Sequence, residues 1–158
     1  PVDRFDSVEV VKGSGQILYG PMTVAGVVNY VTPAIPSRAG GFVSVTGGNR
    51  DYLNAHARYG GTFRGTGLLL DAVRKQGEGS RDNTRSGLND VTLKTLSSLT
   101  DRSTLSLKAN VYTEDSRVTY SGLRLDEYLA NPRQNPFRND VFYGKRWGGT
   151  AQYTNALT

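Results

Sequence analysis

Gly13, Gly15 and Gly20 fall within the stretch VEVVKGSGQILYGPMTVAGVVNYVT, residues 8–32, where a glycine-rich loop follows a valine-rich run. A loop of that kind after a strand can cradle a phosphate with its backbone N–H groups. The dinucleotide fingerprint G-x-G-x-x-G starts at Gly13 and Gly15 but meets Leu18 where its third glycine belongs. A P-loop, G-x-x-x-x-G-K-[ST], finds its two glycines at Gly15 and Gly20. Pro21 and Met22 then replace the phosphate-binding lysine and the magnesium-binding hydroxyl. Neither motif survives, and the glycines read as backbone devices. A strand over 7–12, a glycine turn, a helical turn over 16–19, a Gly20-Pro21 corner and a second strand over 26–32 need only positive φ from glycine and a fixed φ from Pro21.

Other chemistry is equally thin. The 158 residues hold no cysteine, which removes disulfides, thiolate metal sites and cysteine nucleophiles. The single histidine, His56, has no Asp, Glu or Cys at metal-ligand spacing, and no Ser-His-Asp or paired-carboxylate arrangement can be defended. No catalytic residue, resident metal or cofactor is expected. The formal charge is +5, yet acidic residues are interspersed with the basic ones and no Lys/Arg block tracks a nucleic-acid backbone. With a hydrophobic share of 37% and no apolar run approaching the roughly 18–20 residues of a spanning helix, a helical membrane protein is excluded. The chain opens at Pro1 without methionine or leader and stops at Thr158 inside an alternating segment, so a piece of a longer protein is expected.

The elements that must carry any function are strands. From residue 41 onward six segments alternate apolar and polar with period two. Val43 and Val45 oppose Phe42, Ser44 and Thr46, and Leu53, Ala55, Ala57 and Tyr59 oppose Asn54, His56 and Arg58. Leu68, Leu70 and Ala72 share a face against Leu69, Asp71 and Val73; Val91, Leu93 and Thr95 oppose Thr92 and Lys94. Leu105, Leu107, Ala109 and Val111 oppose Ser106, Lys108, Asn110 and Tyr112, and Trp147, Ala151 and Tyr153 oppose Thr150, Gln152 and Thr154. Residues 62–65 and 100–103 form tight turns, whereas 76–87 and 114–145 read as long polar loops; the connection over 48–51 is short. Short turns at one end and long loops at the other fit a transmembrane β-barrel, although a soluble antiparallel sandwich shares the period-two pattern. Ala, Leu and Val with terminal Tyr or Trp on one face, and Lys, Asn, His and Thr on the other, favour the membrane form.

Asp3-Arg4-Phe5-Asp6-Ser7-Val8-Glu9-Val10-Val11-Lys12-Gly13, then Leu18-Tyr19-Gly20-Pro21, then Ala25-Gly26-Val27-Val28-Asn29-Tyr30-Val31-Thr32 resemble the end of the plug domain in TonB-dependent outer-membrane receptors. The plug motif comprises Glu9, Gly13, Gly15, Tyr19, Gly20, Pro21, Gly26 and Asn29. Residues 34–36, 123–128 and 142–148 further resemble the ferric dicitrate branch of that family.

The resemblance implies a mainly β fold: residues 1–38 as the C-terminal part of a plug, and 39–158 as the first six or so antiparallel strands of a transmembrane barrel of about 22 strands. It implies import of a ferric chelate, ferric citrate or another carboxylate siderophore, with the iron carried inside the cargo, driven through TonB and its inner-membrane energising complex. The other partner is outer-membrane lipid; nucleic acid is not one. A passive porin, a family member for cobalamin, another metal complex or a saccharide, and a soluble β-rich domain are the alternatives. On this resemblance Asp71, Lys94 and Lys108 face a polar lumen, His56 is a lumen-facing polar residue, and Arg4, Asp6 and Glu9 lie on the plug. Guanidinium groups grip carboxylates in bidentate fashion. The arginines near the outer mouth, Arg74, Arg81, Arg85, Arg117, Arg124, Arg133 and Arg138, are therefore the expected ligand residues, with Tyr120 and Tyr128 beside them.

Overall fold

The structure, a computed structural model, describes residues 1–13, 26–119 and 121–156. Gly15, Leu18, Tyr19, Gly20, Pro21 and Met22, the helical turn over 16–19, and Tyr120 lie outside the described residues. The chain divides into two units, Pro1–Ala34 and Ile35–Thr158.

In the first unit a 3-10 turn, Val2–Arg4, leads into β1 (Ser7–Lys12), which pairs antiparallel with β2 (Gly26–Val31). Both strands are rich in β-branched valine, whose stiff side chains suit a pleated ribbon. The register sets Glu9 opposite Asn29, whose Nδ2 donates to Glu9 Oε2 at 2.9 Å, and the Phe5 and Tyr30 rings meet at 4.8 Å. Gly13 takes φ of +90°, in line with the sequence expectation of a glycine turn. Gly26 has φ of +151°, and an added Cβ there would sit 2.5 Å from the Val11 carbonyl oxygen.

The second unit is one six-stranded antiparallel sheet in sequence order: β3 (Gly40–Gly47), β4 (Leu53–Phe63), β5 (Thr66–Glu78), β6 (Arg85–Thr100), β7 (Ser103–Arg117) and β8 (Val141–Asn155). One short helix, α1 (Leu125–Ala130), lies in the last connection. The turn between β4 and β5 is the dipeptide Arg64-Gly65, both at positive φ (48° and 78°), as a two-residue hairpin demands. Asp101-Arg102 closes the other tight turn.

The sequence places the long loops over 76–87 and 114–145; the strands in fact run on to Glu78 and resume at Arg85, and run on to Arg117 and resume at Val141. Backbone pairing continues beyond the zone where one face must be apolar, so the alternation fades before the ladder ends.

Residues Ile35 and Pro36, which lead into β3, lie against the inner face of β4 and β5. Thr62 Oγ1 donates to the Pro36 carbonyl at 2.9 Å. A Cβ at Gly60 would stand 3.0 Å from Pro36 Cδ and 2.7 Å from the Leu68 carbonyl oxygen, and one at Gly67 would stand 2.8 Å from Ile35 Cγ2. Because a backbone oxygen cannot step aside cheaply, Gly60→Val is expected to cost about 1–3 kcal/mol, measured by urea unfolding of the intact protein. An unchanged midpoint would contradict this packing.

Candidate functional site: a two-faced sheet with an arginine-rich loop end

The register turns the alternation into two continuous surfaces. On the outward face one line across the sheet reads Val43, Ala57, Ala72, Val91, Val111 and Trp147; the next, nearer the tight turns, reads Tyr59, Leu70, Leu93 and Ala109. These large apolar side chains are exposed, Val43 by 77% and Trp147 by 79%, as lipid-facing residues would be and as a soluble sheet would not tolerate over such an area.

The inward face has the buried residues, and most of them are polar: Leu69 and Val73 accompany Asp71, Asp90, Thr92 and Ser116. Arg58 Nε donates to Asp71 Oδ2, and His56 Nε2 lies 3.2 Å from the same oxygen. Phe42 stacks edge-on against His56 at 4.8 Å, with the Arg58 guanidinium 5.5 Å from the Phe42 ring centre. His56 therefore has an acidic partner that local spacing did not reveal. The signal was available, because a turn fixed at Arg64-Gly65 sets position 58 opposite position 71. Farther along, Asn110 Nδ2 donates to Asp90 at 2.7 Å and to Thr92 at 2.9 Å. Tyr112 and Ser116 hydroxyls donate to Glu114, and Arg146 lies over the Tyr112 ring. Lys94 and Lys108 stand directly opposite each other. Asp71, Lys94, Lys108 and His56 thus occupy the inward face, and Arg58 and Arg146, which the sequence reading passed over, join them.

The seven arginines part company. Arg74, Arg85 and Arg117 lie in strands, at register positions of the outward face, rather than in loops. Arg81, Arg124, Arg133 and Arg138 lie in the connections 79–84 and 118–140. These two connections are tied together: the Asp82 N–H donates to the Arg133 carbonyl at 2.6 Å, Asn83 Nδ2 donates to the Arg138 carbonyl, and Arg81 Nη2 donates to the Ser121 carbonyl at 2.7 Å. A cavity of 410 Å³ at this end is lined by Arg50, Arg81, Arg85, Arg117 and Arg133 with Glu78 and Asp82. Arg133 Nε is 3.7 Å from Asp82 Oδ1 and Arg117 Nη1 donates to Asn83 Oδ1 at 2.7 Å, while Arg81 Nη1 is buried without a hydrogen-bond partner among the described residues. Arg50, from the β3–β4 turn, is the cavity residue that sequence reasoning missed. Arg124 stands apart at the start of α1, paired with Asp126 at 3.0 Å and Glu127 at 3.8 Å, and neither it nor Arg138 lines that cavity. Tyr128, 56% exposed, borders a shallow hollow with Arg81. Among the described residues no cluster of metal-ligating side chains occurs.

No family model matches the chain. Its fold superposes on the unliganded crystal structure of the ferric citrate transporter FecA with a TM-score of 0.82 and 26% identity, over 98% of this chain and 24% of that one. The FpvAI–pyocin S2 complex gives a TM-score of 0.66 at 17% identity over 72% of this chain and 15% of that one, a likeness of fold. In sequence, 69 residues are 36% identical to the vitamin B12 transporter BtuB of Vibrio vulnificus (strain CMCP6), covering 44% of this chain and 11% of that protein. The chain thus spans about a tenth of that curated relative and a quarter of FecA. A mainly antiparallel β fold with an apolar outward face, matched along nearly its whole length to a quarter of FecA, gives this chain the fold of part of a TonB-dependent outer-membrane receptor.

Proposed function

We propose that the chain is part of an energised outer-membrane receptor that imports an anionic ferric chelate, ferric citrate or another carboxylate siderophore. In this reading residues 1–38 are the end of the plug and residues 39–158 are the first six strands of a multi-pass barrel. TonB and its inner-membrane complex supply the work that displaces the plug.

The observation that supports the cargo assignment best is the cavity at the loop end. Five guanidinium groups line it against two carboxylates, so its charge is left for an anion to balance. Arg81 Nη1 is buried and unbonded among the described residues, a state that costs free energy until an acceptor arrives. A carboxylate-rich chelate supplies paired oxygens that match the guanidinium fork. The inward face then offers Arg58, Lys75, Lys94, Lys108 and Arg146 against Asp71, Asp90 and Glu114, a positive balance that draws an anion onward. The likeness to a ferric citrate transporter points the same way.

In titrations of ferric dicitrate into the intact receptor, Arg81→Ala and Arg133→Ala are each expected to weaken binding about tenfold, the value of one charge-assisted contact. Unchanged affinity in both would remove the cavity as the cargo site. The 69-residue match to a vitamin B12 transporter makes a corrinoid the second reading. Binding of cyanocobalamin that ignores both substitutions, with no response to ferric dicitrate, would select it. Uptake that persists without TonB would favour a passive porin instead.

A further inference from the structure

We infer that Asn83 is a positioning residue of the arginine cavity: its side-chain amide clasps the two long connections together and holds the Arg117 guanidinium at the cavity wall without cancelling its charge. The clasp is a matter of geometry, while its effect on cargo rests on the proposed import of an anionic chelate. The connection over 79–84 is closed on itself, the Gly79 N–H donating to the Thr84 carbonyl and Thr84 Oγ1 to the Arg81 carbonyl, each at 2.5 Å. Within it Asn83 is half-buried and takes φ of +57°, a left-handed backbone that asparagine adopts more readily than most residues.

The Asn83 amide meets two partners of opposite demand. Arg117 Nη1 donates to its Oδ1 at 2.7 Å, and its Nδ2 donates to the Arg138 carbonyl. A guanidinium can only donate and a carbonyl can only accept, so a single amide orientation serves both. The partners belong to different segments: Arg117 ends β7, and Arg138 lies in the connection over 118–140. Asp82 adds a second attachment, through its N–H to the Arg133 carbonyl at 2.6 Å and its Oδ1 at 3.7 Å from Arg133 Nε. These attachments oppose a repulsion. Arg50, Arg81, Arg85, Arg117 and Arg133 share one cavity, which Asn83 also borders, and their charges push apart the segments that carry them. An aspartate at position 83 would hold Arg117 but neutralise it, and would offer the Arg138 carbonyl no donor. A neutral amide fixes the guanidinium and leaves its charge for an anion.

The first test uses the intact receptor, free of cargo, with nitroxide labels on Ser80→Cys and Asn139→Cys, exposed positions on the two connections of a chain that has no cysteine of its own. Pulsed electron paramagnetic resonance is expected to give a narrow distance distribution. Asn83→Gly, which keeps the left-handed backbone and removes the amide, should broaden it severalfold, and Asn83→Asp, which keeps the acceptor and loses the donor, should broaden it as well. Unlabelled receptor is then titrated with ferric dicitrate. Asn83→Gly should weaken binding about tenfold, yet add less than about twofold once Arg117→Ala is present, because the two act through one contact. Distances unchanged in both the glycine and the aspartate variants overturn the inference, as do losses for Asn83→Gly and Arg117→Ala that simply add. The distances are read without cargo, so a wild-type receptor that ignores ferric dicitrate counts against the cargo reading alone, and the distances still decide the clasp.

Discussion

Replacing Leu93 with arginine is expected to lower the stability of the intact receptor in a phosphatidylcholine bilayer by about 2–4 kcal/mol, the cost of a charge on the lipid face near the midplane of a barrel. Leu93 stands between Leu70 and Ala109 on the outward face, with Tyr59 and Gly149 extending the same line. Its side chain is 39% exposed, so a residue on an ordinary wet surface would accept arginine with a change inside about 0.5 kcal/mol. Urea unfolding from bilayers separates the two outcomes. A loss within the surface range would contradict the lipid-facing assignment for the whole face, because the alternation ties Leu93 to Leu70, Ala109 and Val111 through the register.

Removing the carboxylate of Asp71 should have a comparable effect for the opposite reason. Asp71 is 3% exposed and is the acceptor for both Arg58 and His56. Asp71→Ala leaves a guanidinium in a half-buried place without its counter-charge, and breaking such a pair from one side costs about 3–5 kcal/mol. Asp71→Asn keeps one acceptor oxygen and should lose less. Pairing Asp71→Ala with Arg58→Ala should recover part of the loss, because the stranded cation goes with it. Simple addition of the two single losses would mean that the pair is not coupled, and that Phe42 and the strand backbone hold Arg58 in place.

Both experiments turn on the faces of the strands, and the faces were legible in the sequence. Leu105, Leu107, Ala109 and Val111 against Lys108, Asn110 and Tyr112 leave one solution, since a one-residue slip would exchange every member. The strands over 7–12 and 26–31 were also readable, because β-branched runs are a local property. Strand ends were not. Residues 76–78, 85–87, 114–117 and 141–145 look like loop by composition, yet they pair, because a ladder outside the bilayer is held by backbone hydrogen bonds that leave no mark on side-chain choice.

Sequence alone determined that this chain is a set of two-faced antiparallel strands, since that follows from residue type and short spacing. Tertiary structure alone decided which connections meet. Arg58 and Asp71 follow from a two-residue turn at Arg64-Gly65, but Arg81 and Ser121 lie 40 positions apart, and only the docking of two connections brings them together. It also divided the arginines. Arg74 lies on the outward face within its strand, while Arg85 and Arg117, at strand ends, line one cavity with Arg81 and Arg133 from the connections, because side-chain placement depends on how far each strand runs.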